Sequence, residues 1–165
     1  GWHSRAYAGE PVATLEAVAR YCLNNAFCLN IEIKPTPGTE RQTGIAVAKA
    51  ASRWWSNATR QPPALLTSFQ PEALAGAKEA TPDLPRGLLL DTLWDGWMGV
   101  AQQMECVAIV CNHALWNEAT LGQATQAGFR TLAYTVNDEW AVERLLAMGI
   151  DGVITDRVDL FPPGR

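Results

Sequence analysis

No apolar run in this sequence of 165 residues approaches the ~20 residues that span a bilayer, which excludes a transmembrane helix. The opening residues, with Trp2, His3 and Arg5, also lack the pattern of a secretory signal. The chain starts at Gly1 rather than Met, consistent with a cut piece from which an upstream export signal could have been removed. A basic excess is lacking too. The 13 Lys and Arg against 17 Asp and Glu leave a net charge of −4, and the basic residues are scattered. That excludes a nucleic-acid footprint and a polybasic membrane patch, and it means that an anionic substrate would need a local cation. Cysteine is sparse: Cys22, Cys28, Cys106 and Cys111 show no CxxC spacing, and each sits in an apolar stretch. Cys106 and Cys111 bracket one strand-like run, so their Cα atoms would lie about 16 Å apart, beyond disulfide reach. Buried, reduced thiols in a cytoplasmic chain are the expectation.

What the sequence does contain is enough apolar residue, 48%, to bury the core of one domain rather than remain disordered. Apolar positions at helical spacing alternate with short apolar runs too brief for helices. The spacing predicts helices over 14–24 with Thr14 as N-cap, 40–56, 71–80 with Pro71 in the first turn, 116–127, and 138–148 after an Asn137 cap. Strands are expected at 28–34, 64–69, 87–91, 106–112, 130–136 and 152–155. Gly128 and Gly149 stand 21 residues apart, each between a helix and a strand, where glycine can take the left-handed conformation. Four of the six strands are apolar almost throughout, as in a parallel sheet covered by helices on one face and closed into a barrel on the other. The Pro/Gly-rich stretch 35–38 reads as a loop, and no interdomain linker is visible.

Polar residues gather where the apolar runs end: Glu32 and Lys34, Thr67 and Ser68, Asp91, Asn112 and His113, Asn137 and Asp138, Thr155 and Asp156. Barrels of alternating strands and helices build their active sites at that end; the competing account is that polar residues merely begin the loops. Within Leu29-Asn30-Ile31-Glu32-Ile33-Lys34 the side chains alternate, so Asn30, Glu32 and Lys34 share the face opposite Leu29, Ile31 and Ile33. Two opposite charges inside a barrel cost several kcal/mol per ion unless paired or bound to a ligand, roughly speaking. A structural Glu–Lys pair is one account. The other gives Glu32 to a divalent cation, Ca²⁺ or Mg²⁺, and Lys34 to a phosphate oxygen. A Schiff-base role for Lys34 is disfavoured, because a neighbouring carboxylate holds a lysine protonated.

These residues carry a resemblance. The segments Gly9-Glu10-Pro11 with Thr14-Leu15, Asn30-Ile31-Glu32-Ile33-Lys34-Pro35, Leu66-Thr67-Ser68-Phe69, Leu84-Pro85-Arg86-Gly87-Leu88-Leu89-Leu90-Asp91, Asn112-His113, Tyr134-Thr135-Val136-Asn137 and Gly152-Val153-Ile154-Thr155-Asp156 together resemble the glycerophosphodiester phosphodiesterase family, and its cytosolic bacterial members in particular. The resemblance implies an α/β fold: a TIM (β/α)₈ barrel of the PLC-like phosphodiesterase type, incomplete here, with about six of eight strands and the C-terminal two thirds of one domain over 1–165. It implies hydrolysis of a small-molecule glycerophosphodiester to an alcohol and glycerol 3-phosphate with Ca²⁺ or Mg²⁺. In the family the residue matching Glu32 is a metal ligand and that matching Lys34 lies near the phosphate. Phe69 and Tyr134 match pocket-lining positions, with core packing as the competing account, and His113 matches a later strand end, as a substrate contact or a loop histidine.

The departures are as informative. The family's His-Arg-Gly, Glu-x-Asp and His-Asp motifs, which hold its acid/base histidines and complete its metal site, do not occur in this sequence. His3 and His113 are its two histidines, and neither matches a catalytic one. The expectations are therefore a chain with little or no turnover by itself, or a catalytically dead open barrel that binds a partner. Exposed sheet edges would then give it a route to self-association.

Overall fold

A computed structural model of the chain describes residue 5 and residues 8–59 and 61–161; His3 lies outside them. Thr14 opens the first helix, α1 (Leu15–Asn24), its Oγ1 accepting from the Ala17 amide at 3.1 Å. There follow β1 (Asn30–Glu32), α2 (Glu40–Trp55), β2 (Leu65–Ser68), α3 (Pro71–Ala80) and β3 (Arg86–Leu90). The rhythm continues through α4 (Trp97–Gln103), β4 (Ala108–Asn112), α5 (Glu118–Gln126), β5 (Arg130–Tyr134), α6 (Glu139–Ala147) and β6 (Gly152–Val153). Gly128 and Gly149 both take left-handed backbone (φ 86° and 87°), ending α5 and α6 as their positions foretold. The helix expected after an Asn137 cap begins one residue later, at Glu139, with Asp138 in the cap position, and Asn137 has other partners.

The six strands form one parallel sheet in the order β1-β2-β3-β4-β5-β6, an incomplete TIM barrel. Among the described residues β1 and β6 do not pair, so the sheet remains open. One face of each strand enters the helical layer. Ile31, Leu66, Leu88, Leu90, Ile109 and Ala133 are buried there against Ala48, Leu74, Trp97, Leu121 and Leu145, each Leu or Ile contributing about 1.5–3 kcal/mol of burial. The register puts Glu32 beside Thr67 and Thr67 beside Gly87, then Leu89, Val110, Leu132 and Gly152 in a row along the opposite, inner face. Above that apolar floor stand the strand C-termini.

Three local devices hold the layers in place. Gly44 of α2 and Gly76 of α3 let the helices touch backbone to backbone: a Cβ on Gly44 would lie 2.0 Å from the Ala73 carbonyl oxygen, and one on Gly76 would lie 2.2 Å from that of Arg41. Arg86, 2% exposed, straps the strand N-termini by donating to the carbonyls of Leu84, Pro82 and Met104 at 2.7, 2.9 and 2.9 Å. Asp151 joins β5 to the entry of β6, accepting from the Thr131 amide (2.8 Å), the Thr131 hydroxyl (3.0 Å) and Arg130 Nη1 (2.7 Å).

The cysteines are all free, but they are not all buried. Cys22, Cys106 and Cys111 are enclosed, whereas Cys28 is exposed just before β1, contrary to the expectation from its apolar neighbours. At this edge of the sheet even Phe27 is half exposed. Burial pushes the Cys106 and Cys111 thiols up to about 12, with the Arg86 charge opposing it slightly at Cys106.

Candidate active site

Side-chain alternation along β1 sends Ile31 and Ile33 into the helical core and Asn30, Glu32 and Lys34 to the inner face. The same alternation brings Thr67 of β2 and Phe69 just after it, Leu89 of β3, Tyr134 at the end of β5 and Ile154 after β6 to one cleft of about 320 Å³, which Thr135, the residue following β5, also lines. It opens at the strand C-termini, where such barrels place their chemistry. The other hollows, near Trp54, Arg53 and Arg41, lie on helices and loops and contain none of these residues.

Four of the five residues singled out from the sequence, Glu32, Lys34, Phe69 and Tyr134, thus line one cavity. Lys34 Nζ lies 3.7 Å from Glu32 Oε1, with the two side chains 82% and 42% exposed. The expected burial cost of these charges is therefore largely absent, because the inner face is open to solvent at the β1 edge. At this distance and exposure the pair holds neither partner firmly, contributing about 0–1 kcal/mol. Lys34 remains available to an anion. Phe69 and Tyr134 stand edge to face, ring centroids 5.9 Å apart at 90°, and form one wall. The Tyr134 hydroxyl donates to the Leu90 carbonyl at 2.8 Å. Burial first, then the negative charge of Asp91, with Cys111 and Glu32 adding, push this phenol up to about 12. It is a protonated wall residue at neutral pH, not a base.

His113 is not brought to the cleft. It begins a short 3-10 turn (His113–Leu115) after β4, where the Asn112 side chain accepts from the Ala114 amide. Its carbonyl accepts from Arg144 Nη2 of α6 at 2.8 Å, and its ring Nδ1 is buried with no protein partner among the described residues. Several other strand-end polar groups are structural. The Ser68 hydroxyl donates to the Ile33 carbonyl (2.7 Å). Asn137 Oδ1 accepts from the Thr155 hydroxyl and the Asp156 amide at 3.1 and 3.0 Å, tying the end of β5 to the segment after β6. Conversely, Thr135 and Ile154 line the cleft without having been singled out as site residues. The register Leu132 to Gly152 signals the second, since alternation from Gly152 returns Ile154 to the inner face.

Ca²⁺ takes about six to eight oxygen ligands, and Mg²⁺ needs near-octahedral coordination. Among the described residues no group of three or more His, Cys, Asp or Glu side chains is placed to hold such an ion. Glu32 offers one carboxylate, so the residues present do not form a metal site by themselves.

The chain is similar to known proteins along nearly its whole length. The family model described as glycerophosphoryl diester phosphodiesterase family matches residues 1–160. The candidate glycerophosphodiester phosphodiesterase YhdW of Bacillus subtilis (strain 168) is 29% identical over 169 residues, a match covering 97% of this chain and 65% of the relative. A glycerophosphodiester phosphodiesterase of Caldanaerobacter subterraneus subsp. tengcongensis is 27% identical over 155 residues, covering 91% and 60%. The chain thus spans 60–65% of the length of these curated relatives. An Oleispira antarctica phosphodiesterase, solved in complex with the product sn-glycerol-3-phosphate, superposes with a TM-score of 0.79 at 26% identity, covering 94% of this chain and 62% of that one.

Proposed function

The chain belongs to the glycerophosphoryl diester phosphodiesterase family, and from that premise we propose that its cleft is part of a site hydrolysing glycerophosphodiesters to an alcohol and glycerol 3-phosphate. The observation that carries this reading is the meeting of Glu32, Lys34, Phe69 and Tyr134 in one cavity at the strand C-termini. Lys34, weakly held by Glu32, supplies the local cation that an anionic phosphodiester needs on a chain of net charge −4. The Phe69–Tyr134 wall shields one side of the ligand from water.

Glu32 would give one oxygen to Ca²⁺ or Mg²⁺, which when bound would stabilise phosphoryl charge, with water and phosphate oxygens among its other donors. Among the described residues no histidine lines the cleft to move protons: His113 lies elsewhere, and Tyr134, held protonated, cannot serve as a base. Each missing proton transfer is worth roughly 10²–10⁴-fold in rate. Assayed with glycerophosphocholine and Ca²⁺, the chain is expected to show little or no turnover while still binding sn-glycerol 3-phosphate; robust turnover would overturn the first half, and absence of binding the second. The edge strands β1 and β6 also offer a route to self-association, read by sedimentation as mass that rises with concentration.

A further inference from the structure

Asn30, exposed like Glu32, shares the inner face with Glu32 and Lys34 and lies two residues, about 7 Å, nearer the start of β1 than Glu32. Its side chain is oriented by a neighbour. Thr67 Oγ1 donates to Asn30 Oδ1 at 2.9 Å, and Thr67 itself is fully buried. Thr67 in turn has a fixed rotamer, because it is β-branched and its methyl occupies space that Gly87 leaves free: a Cβ on Gly87 would lie 3.1 Å from Thr67 Cγ2. With Oδ1 taken up, the Nδ2 amide hydrogens are turned away from Thr67, and among the described residues they find no protein acceptor.

We propose that Asn30 is a specificity-determining residue whose Nδ2 donates to a glycerol hydroxyl of the bound ligand, and that Thr67 is the positioning residue that fixes the amide in that orientation. This rests on the reading of the cleft as a glycerophosphodiester site. The phosphate, doubly charged in the product, stays at the mouth with Lys34, the cation of the cleft. The neutral glycerol end is the part that descends to Asn30, where an uncharged amide suits a hydroxyl oxygen.

The test is calorimetric titration of the chain and its variants with sn-glycerol 3-phosphate and, separately, with inorganic phosphate. Asn30→Ala should weaken glycerol 3-phosphate by about three- to tenfold, the worth of a neutral hydrogen bond, and leave inorganic phosphate within about twofold. Thr67→Val should weaken glycerol 3-phosphate in the native background but add nothing in the Asn30→Ala background, and Thr67→Ser should restore it. Thermal melting of each variant separates loss of the fold from loss of the contact. Unchanged affinity in a folded Asn30→Ala variant, equal weakening of both ligands, or an undiminished Thr67→Val effect without Asn30 would overturn the proposal while leaving the cleft assignment standing. Failure of the native chain to bind glycerol 3-phosphate would sink the cleft assignment itself, and this inference with it.

Discussion

Replacing a helical glycine by alanine ordinarily stabilises a protein by up to about 1 kcal/mol, because glycine is the poorest helix former after proline. At Gly44 and Gly76 the sign should reverse. A Cβ at either position meets a backbone carbonyl oxygen at 2.0 or 2.2 Å, well inside van der Waals contact, and that oxygen belongs to the facing helix rather than to a flexible side chain. Relief requires α2 and α3 to separate, which strips contacts from Ala48, Ala73 and Ala77 beneath them. Overpacking of this kind costs about 1–3 kcal/mol, occasionally more. Set against the propensity gain, the expected net loss is about 1 kcal/mol, or roughly 2–4 °C in Tm for a domain of this size. Gly99 and Gly122 supply the control, since a Cβ there has nothing within 4 Å; Gly99→Ala and Gly122→Ala should raise Tm by roughly 1–4 °C. Circular-dichroism melts of the four variants read the outcome. Stabilisation by Gly44→Ala or Gly76→Ala comparable to that at Gly99 would refute the close helix contact.

Three further outcomes are expected. Asp151→Asn should destabilise the chain by about 1–3 kcal/mol in urea melts at neutral pH by weakening the Thr131 and Arg130 bonds. Burial raises the Asp151 carboxyl, but the Thr131 amide, Arg130 and the Thr131 hydroxyl outweigh it and hold it below the usual range. Its stabilisation is thus present above the unfolded-state pKa and lost as pH falls through the folded one, so the variant's acid limb should be flatter. Tyr134→Phe removes a phenol whose folded pKa is raised to about 12. The native contribution is complete below about pH 10 and fades between about 10 and 12, so the native and variant stability curves should converge over that window. Finally, a thiol reagent should modify Cys28 at once and the other three cysteines only on unfolding; rapid modification of Cys111 would contradict its burial.

The strand and helix rhythm was legible because most strands are short apolar runs and most helices carry a cap or an apolar stripe. The helix α4 carries no side-chain cap and only a one-turn apolar stripe, Trp97 and Ala101: it has seven residues, a glycine near its start, and Gly96 as its N-cap. The inner placement of Glu32 and Lys34 followed from alternation alone. Their exposure did not, since alternation says which face a side chain takes and not whether other strands enclose that face. His113 illustrates a second limit. A polar residue at a strand end points into the barrel only if the chain continues as strand, and here Asn112 caps a turn that takes His113 to α6. Thr67 and Ser68 adjoin in sequence, yet one orients Asn30 in the cleft and the other ties β2 to the Ile33 carbonyl, a division set by the pleat.

The most direct measurement is an amide chemical-shift map of the ¹⁵N-labelled chain titrated with sn-glycerol 3-phosphate. The largest shifts should fall on Glu32, Lys34, Thr67, Phe69, Tyr134 and Thr135, and Lys34→Ala should weaken binding by about tenfold. Shifts confined to the helical exterior near Trp54 or Arg41, or affinity indifferent to Lys34, would place the ligand elsewhere and contradict the account.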